Sequence, residues 1–464
     1  MKFNKIAWCL GLVFAASSCF AQMYTIIDLG SLGGGGTTAS DINSSGQVAG
    51  TSVRTDLLIH AFRTAPNSPI NPATDDLGTL GGGWNSEGTA INDSGQVVGR
   101  SQAIDGPHSF RTAPNSSIDP ANDNLDTLNG DFSHGYAQDI NASGQVVGFS
   151  STYVYPDPDH AFRTAPNSRV NPGTDDLGTL GGPAALAFGI NDSGQVVGRS
   201  QLTSGRWHAF RTAANSPIDR ATDDLGTLGG SYSVAAGVNN SGQVVGSSLV
   251  IGDTAIHAFR TEAYVPINPG TDDLGTLGGL YSVGFGLDAY GQVVGSSAIN
   301  ESGSVSHAFL HSGGVMHDLN NLIPTGSNWE LMEADKINDG GQIIGVERNG
   351  GRSFLLIPIY NALVQPPINT DGSSVFKSNR GVLPVKFAVT QYGMQPSCTL
   401  PATITVTRAS GGTLTTIQQS DADFQITDCL YHYNLATRSL GLGTYRVDIS
   451  INGIMVGHAV FTLR

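Results

Sequence analysis

The pentapeptide Gly95-Gln96-Val97-Val98-Gly99 decides the fold, because it is one of seven near-copies along the chain. Successive copies lie 48 to 50 residues apart. Repeats of this length suit a unit of four short antiparallel strands, whereas a β-solenoid would need shorter repeats. The glutamines of the seven copies are Gln47, Gln96, Gln145, Gln195, Gln243, Gln292 and Gln342.

Each repeat divides into four short runs separated by turn residues. The first ends in Ile91-Asn92 and is followed by Asp93-Ser94-Gly95, residue types that tolerate positive φ and close a hairpin. The second is Gln-Val-Val-Gly, the third is represented by His60-Ala-Phe-Arg63, and the fourth by Asp76-Leu-Gly-Thr-Leu80. Gly or Pro interrupts every window, and no helical period is present. The sequence therefore predicts four strands per repeat.

The two ends of the repeat region are complementary. The stretch from Met23 to Gly30 reads as a fourth-type strand, and the last copy stops after a third-type strand, Ser353 to Pro358. Pairing these two would complete the last unit and leave no open sheet edge. We therefore predict an all-β fold, a seven-bladed β-propeller over residues 22–359 that is closed by its N-terminal strand.

The first 21 residues are predicted to be a signal peptide that directs secretion or display at the cell surface. Two lysines precede the apolar stretch Ile6 to Ala16, and cleavage after Ala21 is expected. The alternative is a lipoprotein modified at Cys19. No later segment reaches 18 unbroken apolar residues, so an integral membrane protein is not expected.

Loss of the two leader lysines takes the formal charge from −15 to −17. Nucleic-acid binding is not expected, because it requires clustered Lys and Arg, and no basic run exists. The acidity is explained by solubility or by divalent-cation binding. Asp41-Ile42-Asn43 and Asp139-Ile140-Asn141 offer only a fragment of a calcium loop, so turn chemistry is the preferred interpretation. No cofactor and no metal site are predicted.

Six histidines occupy one repeat position, which raises the question of a metal ring. Equivalent positions on neighbouring blades lie about 10 Å apart, far beyond shared coordination. We predict instead that each histidine makes a hydrogen bond within its own blade and that the adjacent Phe is core. The six are His60, His108, His160, His208, His257 and His307.

Loop variation separates the two faces of the predicted disc. In five copies the segment from the third to the fourth strand has a constant length, as from Phe62 to Leu80, while the second-to-third loops and the loops between blades vary. Both variable sets emerge on one face, which gathers aromatic and polar residues suited to sugar or protein recognition. The candidate ligand residues are Trp84, Glu87, Phe132, His134, Tyr136, Tyr153, Tyr155, Trp207, Tyr232 and Tyr281.

The His-Ala-Phe strand, the Asp-Leu-Gly-Thr-Leu-Gly-Gly stretch and the Ile-Asn-x-x-Gly-Gln-Val-Val-Gly hairpin together resemble the bacterial extracellular HAF repeat family. The resemblance covers residues 23–359 and implies location and repeat class, not an activity. One departure is Leu287-Asp288-Ala289-Tyr290, which replaces the usual Ile-Asn turn and puts that hairpin in doubt.

The period disappears after Pro358. Residues 360–369 are predicted to be a linker, and residues 370–464 a small Ig-like β-sandwich with alternating, β-branched runs. Leu383-Pro-Val-Lys-Phe387 and the final strands resemble the PxKF module, which implies an accessory or stalk domain. Cys398 and Cys429 alone remain after leader removal, and an oxidising compartment favours a disulfide between them.

The function predicted from the sequence is non-enzymatic binding of an extracellular glycan or protein through the variable loops. One alternative is a glycosidase or lyase, since propellers also host such enzymes. Glu87, Asp131 and His134 are the only polar residues that could gather for this purpose, so no catalytic residue is assigned. The other alternative is a structural matrix or adhesion component.

Overall fold

Short antiparallel strands make up almost the whole of the computed structural model, so the protein is all-β. The structure describes residues 23–464 apart from 82–83, 104–105, 130–133, 152–157, 349–350, 370–371, 392–395, 399, 401, 411–412, 421–423 and 452–453. The predicted leader, residues 1–21, lies outside the described residues. The helical content of the described chain is three 3-10 turns, Ile251–Asp253, Leu319–Asn321 and Ser378–Arg380.

The first 24 strands form seven antiparallel sheets, and β1 (Tyr24–Asp28) belongs to the last of them. Sheet 1 contains β2 (Gly33–Ile42), β3 (Val48–Arg54) and β4 (Ile59–Arg63); sheet 2 contains β5 (Ser86–Ile91), β6 (Val97–Ala103) and β7 (Gly106–Arg111); sheet 3 contains β8 (Gly135–Ile140), β9 (Val146–Ser151) and β10 (Asp159–Arg163). Sheet 4 contains β11 (Gly181–Ile190), β12 (Val196–Leu202), β13 (Trp207–Arg211) and β14 (Asp224–Gly226); sheet 5 contains β15 (Gly229–Val238), β16 (Val244–Val250) and β17 (Ile256–Arg260). Sheet 6 contains β18 (Ser282–Leu287), β19 (Val293–Ala298), β20 (Ser306–Ser312) and β21 (Val315–Asp318); sheet 7 contains β22 (Leu331–Ile337), β23 (Ile343–Glu347), β24 (Ser353–Pro358) and β1.

The two glycines of the repeated pentapeptide have different structural roles. Gly95 closes the hairpin between β5 and β6 with a φ of 78°, a conformation that disfavours any side chain. Gly99 lies where the paired strand passes so close that a Cβ would stand 1.9 Å from the carbonyl oxygen of Glu87. Turn geometry therefore requires the first glycine, and strand packing requires the second.

The N-terminal strand completes the last sheet, as the sequence predicted. β1 pairs antiparallel with β24, in a register that runs from Tyr24 opposite Pro358 to Asp28 opposite Phe354. Two further backbone bonds join these ends, from the Leu29 amide to the Ser353 carbonyl and from the Ile359 amide to the Met23 carbonyl. The chain thus returns to its own beginning before the C-terminal segment starts.

The first strand of each sheet packs against the preceding sheet, and β2 of sheet 1 packs against sheet 7 in the same way. Valines of the second strand and the phenylalanine of the third fill the spaces between sheets, which confirms the predicted core. Removing each such phenylalanine from water contributes about 2 kcal/mol. The fully buried phenylalanines of the third strands are Phe62, Phe110, Phe162, Phe210, Phe259, Phe309 and Phe354.

Side-chain amides join the first hairpins of the sheets by hydrogen bonds that form a ring with one link missing. The Asn43 amide donates to the Asn92 carbonyl oxygen of the next sheet at 3.2 Å, and the series ends where Asn338 donates back to Asn43 at 2.9 Å. We call this set the asparagine ring. Its seven members are Asn43, Asn92, Asn141, Asn191, Asn239, Asp288 and Asn338, and all but Asp288 donate in this way.

Five of the six predicted histidines form hydrogen bonds within their own sheets, which confirms the prediction for those five. His60 Nδ1 lies 2.7 Å from the Asp76 carboxylate, and His160, His208, His257 and His307 have equivalent aspartate partners. This contact raises the pKa of His160. The fourth runs are shorter than predicted, because sheets 1, 2, 3 and 5 have a single bridge at this position, as between Phe62 and Asp76.

The C-terminal segment forms two more sheets that share one apolar core. One has the order β25-β27-β32-β31 with β28 beside β27, and the other has the order β26-β34-β33-β29-β30. The strands are β25 (Tyr360–Gln365), β26 (Ser374–Phe376), β27 (Val382–Gln391), β28 (Pro396–Ser397), β29 (Ala402–Ser410), β30 (Thr413–Ser420), β31 (Gln425–Thr427), β32 (Leu430–Ala436), β33 (Gly443–Ile451) and β34 (Ile454–Leu463).

The linker predicted at 360–369 is wrong in its first part. Residues 360–365 form β25, which pairs with β27 over six residues, and Ala362 and Val364 are buried in the C-terminal core. The prolines at 366 and 367 had suggested a linker, but the preceding alternation of buried and exposed residues belongs to a strand. The predicted disulfide between Cys398 and Cys429 is present.

The C-terminal segment docks on the end of the sheets that carries the asparagine ring. The departure at 287–290 marks the contact: the Tyr290 ring lies 4.0 Å from the His458 ring, and Arg446 donates to the Tyr290 carbonyl oxygen at 3.4 Å. The doubtful hairpin forms, since Leu287 pairs with Val293. The turn whose residues depart from the repeat is therefore a turn that contacts the C-terminal segment.

Asp288 interrupts the asparagine ring, because a carboxylate has no N–H group with which to donate the hydrogen bond that an asparagine donates. Burial raises the pKa of Asp288 to about 7. The folded chain therefore holds a proton that the unfolded chain releases near its ordinary pKa of 3.8, and the free energy of unfolding falls as pH rises from about 4 to about 7. Asp288→Asn should remove that fall and raise the free energy of unfolding by about 1–3 kcal/mol near pH 8.

Urea unfolding at about pH 5 and about pH 8 measures this effect. The reverse change in an intact part of the ring, Asn92→Asp, is the matched control and should destabilise the chain more at the higher pH. Equal stability of the wild-type and Asp288→Asn chains at both pH values would contradict the interpretation.

Candidate binding face

The variable loops meet at the end of the sheets opposite the asparagine ring. Loops between sheets hydrogen-bond to second-to-third loops there: the Asn85 side chain accepts from the Ile59 amide at 3.0 Å, and Asp253 accepts from the Ser231 amide at 2.7 Å. We call this end the variable face. The contacts of the C-terminal segment with Tyr290 lie at the opposite end.

The predicted ligand residues are placed unevenly on this face. Trp84 is 71% exposed and Tyr281 is 45% exposed, while Tyr136, Trp207 and Tyr232 are half-buried. His134 is exposed. Phe132, Tyr153 and Tyr155 lie outside the described residues.

Glu87 and Tyr136 are brought together by an arginine that the sequence did not single out. Arg100 on β6 lies opposite Glu87 on β5 and donates to its carboxylate at 3.0 Å. The same guanidinium donates to the Tyr136 hydroxyl at 3.1 Å, and its Cζ stands 5.0 Å from the centre of that ring. The Tyr136 ring stacks on Phe149 with a centroid separation of 4.9 Å.

The contacts continue from sheet 3 into sheets 4 and 5. Phe149 meets the edge of Phe188 at 6.4 Å, and Arg199 lies 6.0 Å from the Phe188 ring. Arg199 also lies 4.8 Å from the Trp207 ring and donates to the Tyr232 hydroxyl at 2.9 Å. We call the connected set the aromatic–arginine arc. Its members are Glu87, Arg100, Tyr136, Phe149, Phe188, Arg199, Trp207 and Tyr232.

Arg100, Phe149, Phe188 and Arg199 were missed because the sequence search concentrated on loops, whereas these residues lie on strands. A signal for three of them was present. The position after the second-strand glycine changes its residue type from one copy to the next, although its neighbours stay constant. The seven residues at that position are Thr51, Arg100, Phe149, Arg199, Ser247, Ser296 and Val346.

The residues considered for catalysis do not form a described constellation. Glu87 is bound by Arg100, which leaves it poorly placed to accept a substrate proton. His134 is exposed and its carbonyl accepts from the Ser151 amide at 3.3 Å. Asp131 lies outside the described residues.

A cavity of about 230 Å³ opens at the asparagine ring and is lined by residues of all seven sheets. Its wall is mostly backbone and amide, and the amides are already paired, as where Asn92 donates to Asn141 at 3.1 Å. Asn43 Oδ1 accepts a hydrogen bond from the Gln47 backbone amide at 3.0 Å, so this acceptor oxygen is already bonded within the turn. The turn interpretation of these residues accounts for the contacts observed.

Charged groups from non-neighbouring sheets are buried beside this cavity. Asp41 accepts from the amides of Ile42 and Ile91, both at 2.9 Å, and thereby ties sheet 1 to sheet 2. Burial raises the pKa of Asp41 to about 6. Burial alone would lower the pKa of Lys336, but Asp41, Asp139 and Asp335 raise it above its ordinary value. Lys336 thus balances carboxylates contributed by sheets 1 and 3.

Two searches bear on metal and membrane. Among the described residues, no group of three His, Cys, Asp or Glu side chains is arranged to hold a metal ion. Within the same part of the chain, no helix has the length and apolar character needed to cross a membrane.

No family model matches the chain, and no curated protein does. One solved structure similar to the chain is the BP39L lectin from Burkholderia pseudomallei, with 10% sequence identity over 96% of this chain and 99% of that chain. The TM-score is 0.17, too low for this likeness to bear on the fold or on a ligand.

Lys336→Met should destabilise the chain, because it leaves Asp41 and Asp139 buried without a cation. We expect a loss of about 3 kcal/mol near pH 8 and a smaller loss near pH 5, where the carboxyl groups take up protons. Thermal unfolding at the two pH values checks this, with Lys377→Met as the exposed control. A loss that is the same at both pH values would show that Lys336 acts through packing alone.

Proposed function

We propose that the chain is a non-enzymatic extracellular protein that binds a glycan on the variable face. In this proposal the seven sheets are the blades of a closed β-propeller, and the C-terminal sheets form an Ig-like domain that supports it. The predicted signal peptide would export the chain to the cell surface or the medium. Membership of the HAF repeat family and of the PxKF modules remains part of the proposal.

The observation that carries the proposal is the aromatic–arginine arc. A scaffold of near-identical repeats has no structural need for Arg100, Phe149 and Arg199, because Thr51, Ser247, Ser296 and Val346 fill the same position in other sheets. The arc runs through sheets 2 to 5, so it marks one side of a repetitive surface. Stacked rings with polar tips at one edge suit the apolar face and hydroxyl groups of a sugar.

The position of the second domain supports the same assignment. It contacts the Tyr290 turn at the opposite end through His458 and Arg446. The departure from the repeat at that turn therefore coincides with a domain contact. Among the described residues, no such domain contact explains the departures at Arg100, Phe149 and Arg199, and a ligand from solution would explain them.

Glycan-array screening of the processed full chain, followed by calorimetric titration of the best ligand, tests the proposal. Tyr136→Leu and Trp207→Ile introduce residues that the repeat itself carries at Leu186 and Ile256, so the fold is retained. Each should weaken binding about tenfold, because a lost ring contact of about 1.4 kcal/mol has that effect.

Tyr264→Asn is the matched control. It removes an exposed aromatic ring from the opposite end and restores the repeat's own residue, and it should leave the affinity unchanged. Binding that survives both arc variants, or the absence of any ligand on the array, would contradict the proposal. Turnover of the bound sugar would replace it with the enzyme alternative.

A further inference from the structure

Arg100 and Arg199 occupy the same repeat position but differ in their neighbours. Arg100 lies opposite Glu87 and is neutralised by it at 3.0 Å. Arg199 lies opposite Leu186, which takes the place of that glutamate. Among the described residues, no carboxylate forms an ion pair with Arg199. The charge of Arg100 is therefore neutralised by a neighbouring carboxylate, whereas, in the described chain, the charge of Arg199 is not.

The described residues around Arg199 position its guanidinium but leave hydrogen-bond donors of this group without an acceptor. A guanidinium has five N–H groups, and one of them donates to the Tyr232 hydroxyl at 2.9 Å. The buried Nε has no hydrogen-bond partner in the described chain. Trp207 at 4.8 Å and Phe188 at 6.0 Å provide ring faces that orient the cation. Arg199 is only half-buried, and an anion from solution can pair with its guanidinium through the remaining N–H groups.

We infer that Arg199 binds the carboxylate of an acidic sugar, with the sugar ring against Trp207. This inference rests on the proposed function and adds the charge class of the ligand. A carboxylate matches the planar fork of arginine with two parallel hydrogen bonds, and the sugar ring supplies the apolar face that the tryptophan needs. Glu87 makes the Arg100 site unsuitable for the same group, because its own carboxylate already occupies that guanidinium.

The test compares two probes that differ only at their carboxyl groups. They are a galacturonate trisaccharide, which carries free carboxylates, and its fully methyl-esterified form, which is uncharged. Calorimetric titration uses the full processed chain at about 0.15 M salt, where screening limits repulsion from the acidic surface to about 8 Å. The wild-type chain should bind the acid at least about tenfold more tightly than the ester, the ratio expected for hydrogen bonds to a charged group.

Arg199→Ser introduces the residue found at Ser247 and Ser296, and it should remove the preference for the acid over the ester. Leu186→Glu is a second variant that keeps the arginine and gives it the partner that Arg100 has, and it should abolish the same preference. Arg199→Lys should retain part of it, because an ammonium lacks the fork. Arg100→Ser makes the same charge change at the compensated site and should have no effect on the preference.

Equal binding of the acid and the ester by the wild-type chain would overturn the inference, as would an unchanged preference in Arg199→Ser. If the ester binds and Tyr136→Leu still weakens it, the proposed function stands and only the acidic ligand class fails. If neither probe binds while a neutral glycan does, the result is the same. If no glycan binds at all, the proposed function itself fails.

Discussion

The pairing of β1 with β24 is the constraint on which the rest of the structure depends. It brings the first described residues against the last repeat and leaves sheet 7 in contact with sheet 1, so that every sheet has two neighbours. The asparagine ring requires this arrangement, because Asn338 can reach Asn43 only if the series returns to its start. The convergence of Asp41, Asp139 and Lys336, which come from three different sheets, follows from the same geometry.

A repetitive scaffold makes its exceptions informative. Near-identical repeats pack by near-identical contacts. The packing that the repeats share therefore does not explain a residue that differs from its six equivalents. At the end with the asparagine ring, Asp288 and Tyr290 depart from the repeat in the turn where the C-terminal segment docks. At the variable face, Arg100, Phe149 and Arg199 depart from it with no domain against them. The first set has a visible cause in the structure, and the proposed ligand is the cause assigned to the second.

The sequence was sufficient wherever an outcome depended on local pattern repeated seven times. Strand order, the core phenylalanines, the hydrogen bonding of the histidines within their own sheets and the use of Met23 to Gly30 in the last sheet were predictable in this way. Outcomes that depend on contacts between sheets were not. Nothing local shows that Arg100 will reach Tyr136, or that Glu87 will be neutralised, because strand register and sheet spacing decide both. Residues 360–365 were misassigned for a related reason: two following prolines outweighed a short alternating pattern whose partner strand begins at Val382.

The central claim is that the N-terminal strand is an integral part of the last sheet. Native-state hydrogen exchange of the β1 amides tests it most directly, compared with the amides of β23 in the middle of the same sheet. The account predicts that β1 amides bonded to β24 exchange as slowly as those of β23, because β1 is released only when the sheet unfolds. Exchange of β1 at the rate of an exposed terminus, with β23 still protected, would contradict it.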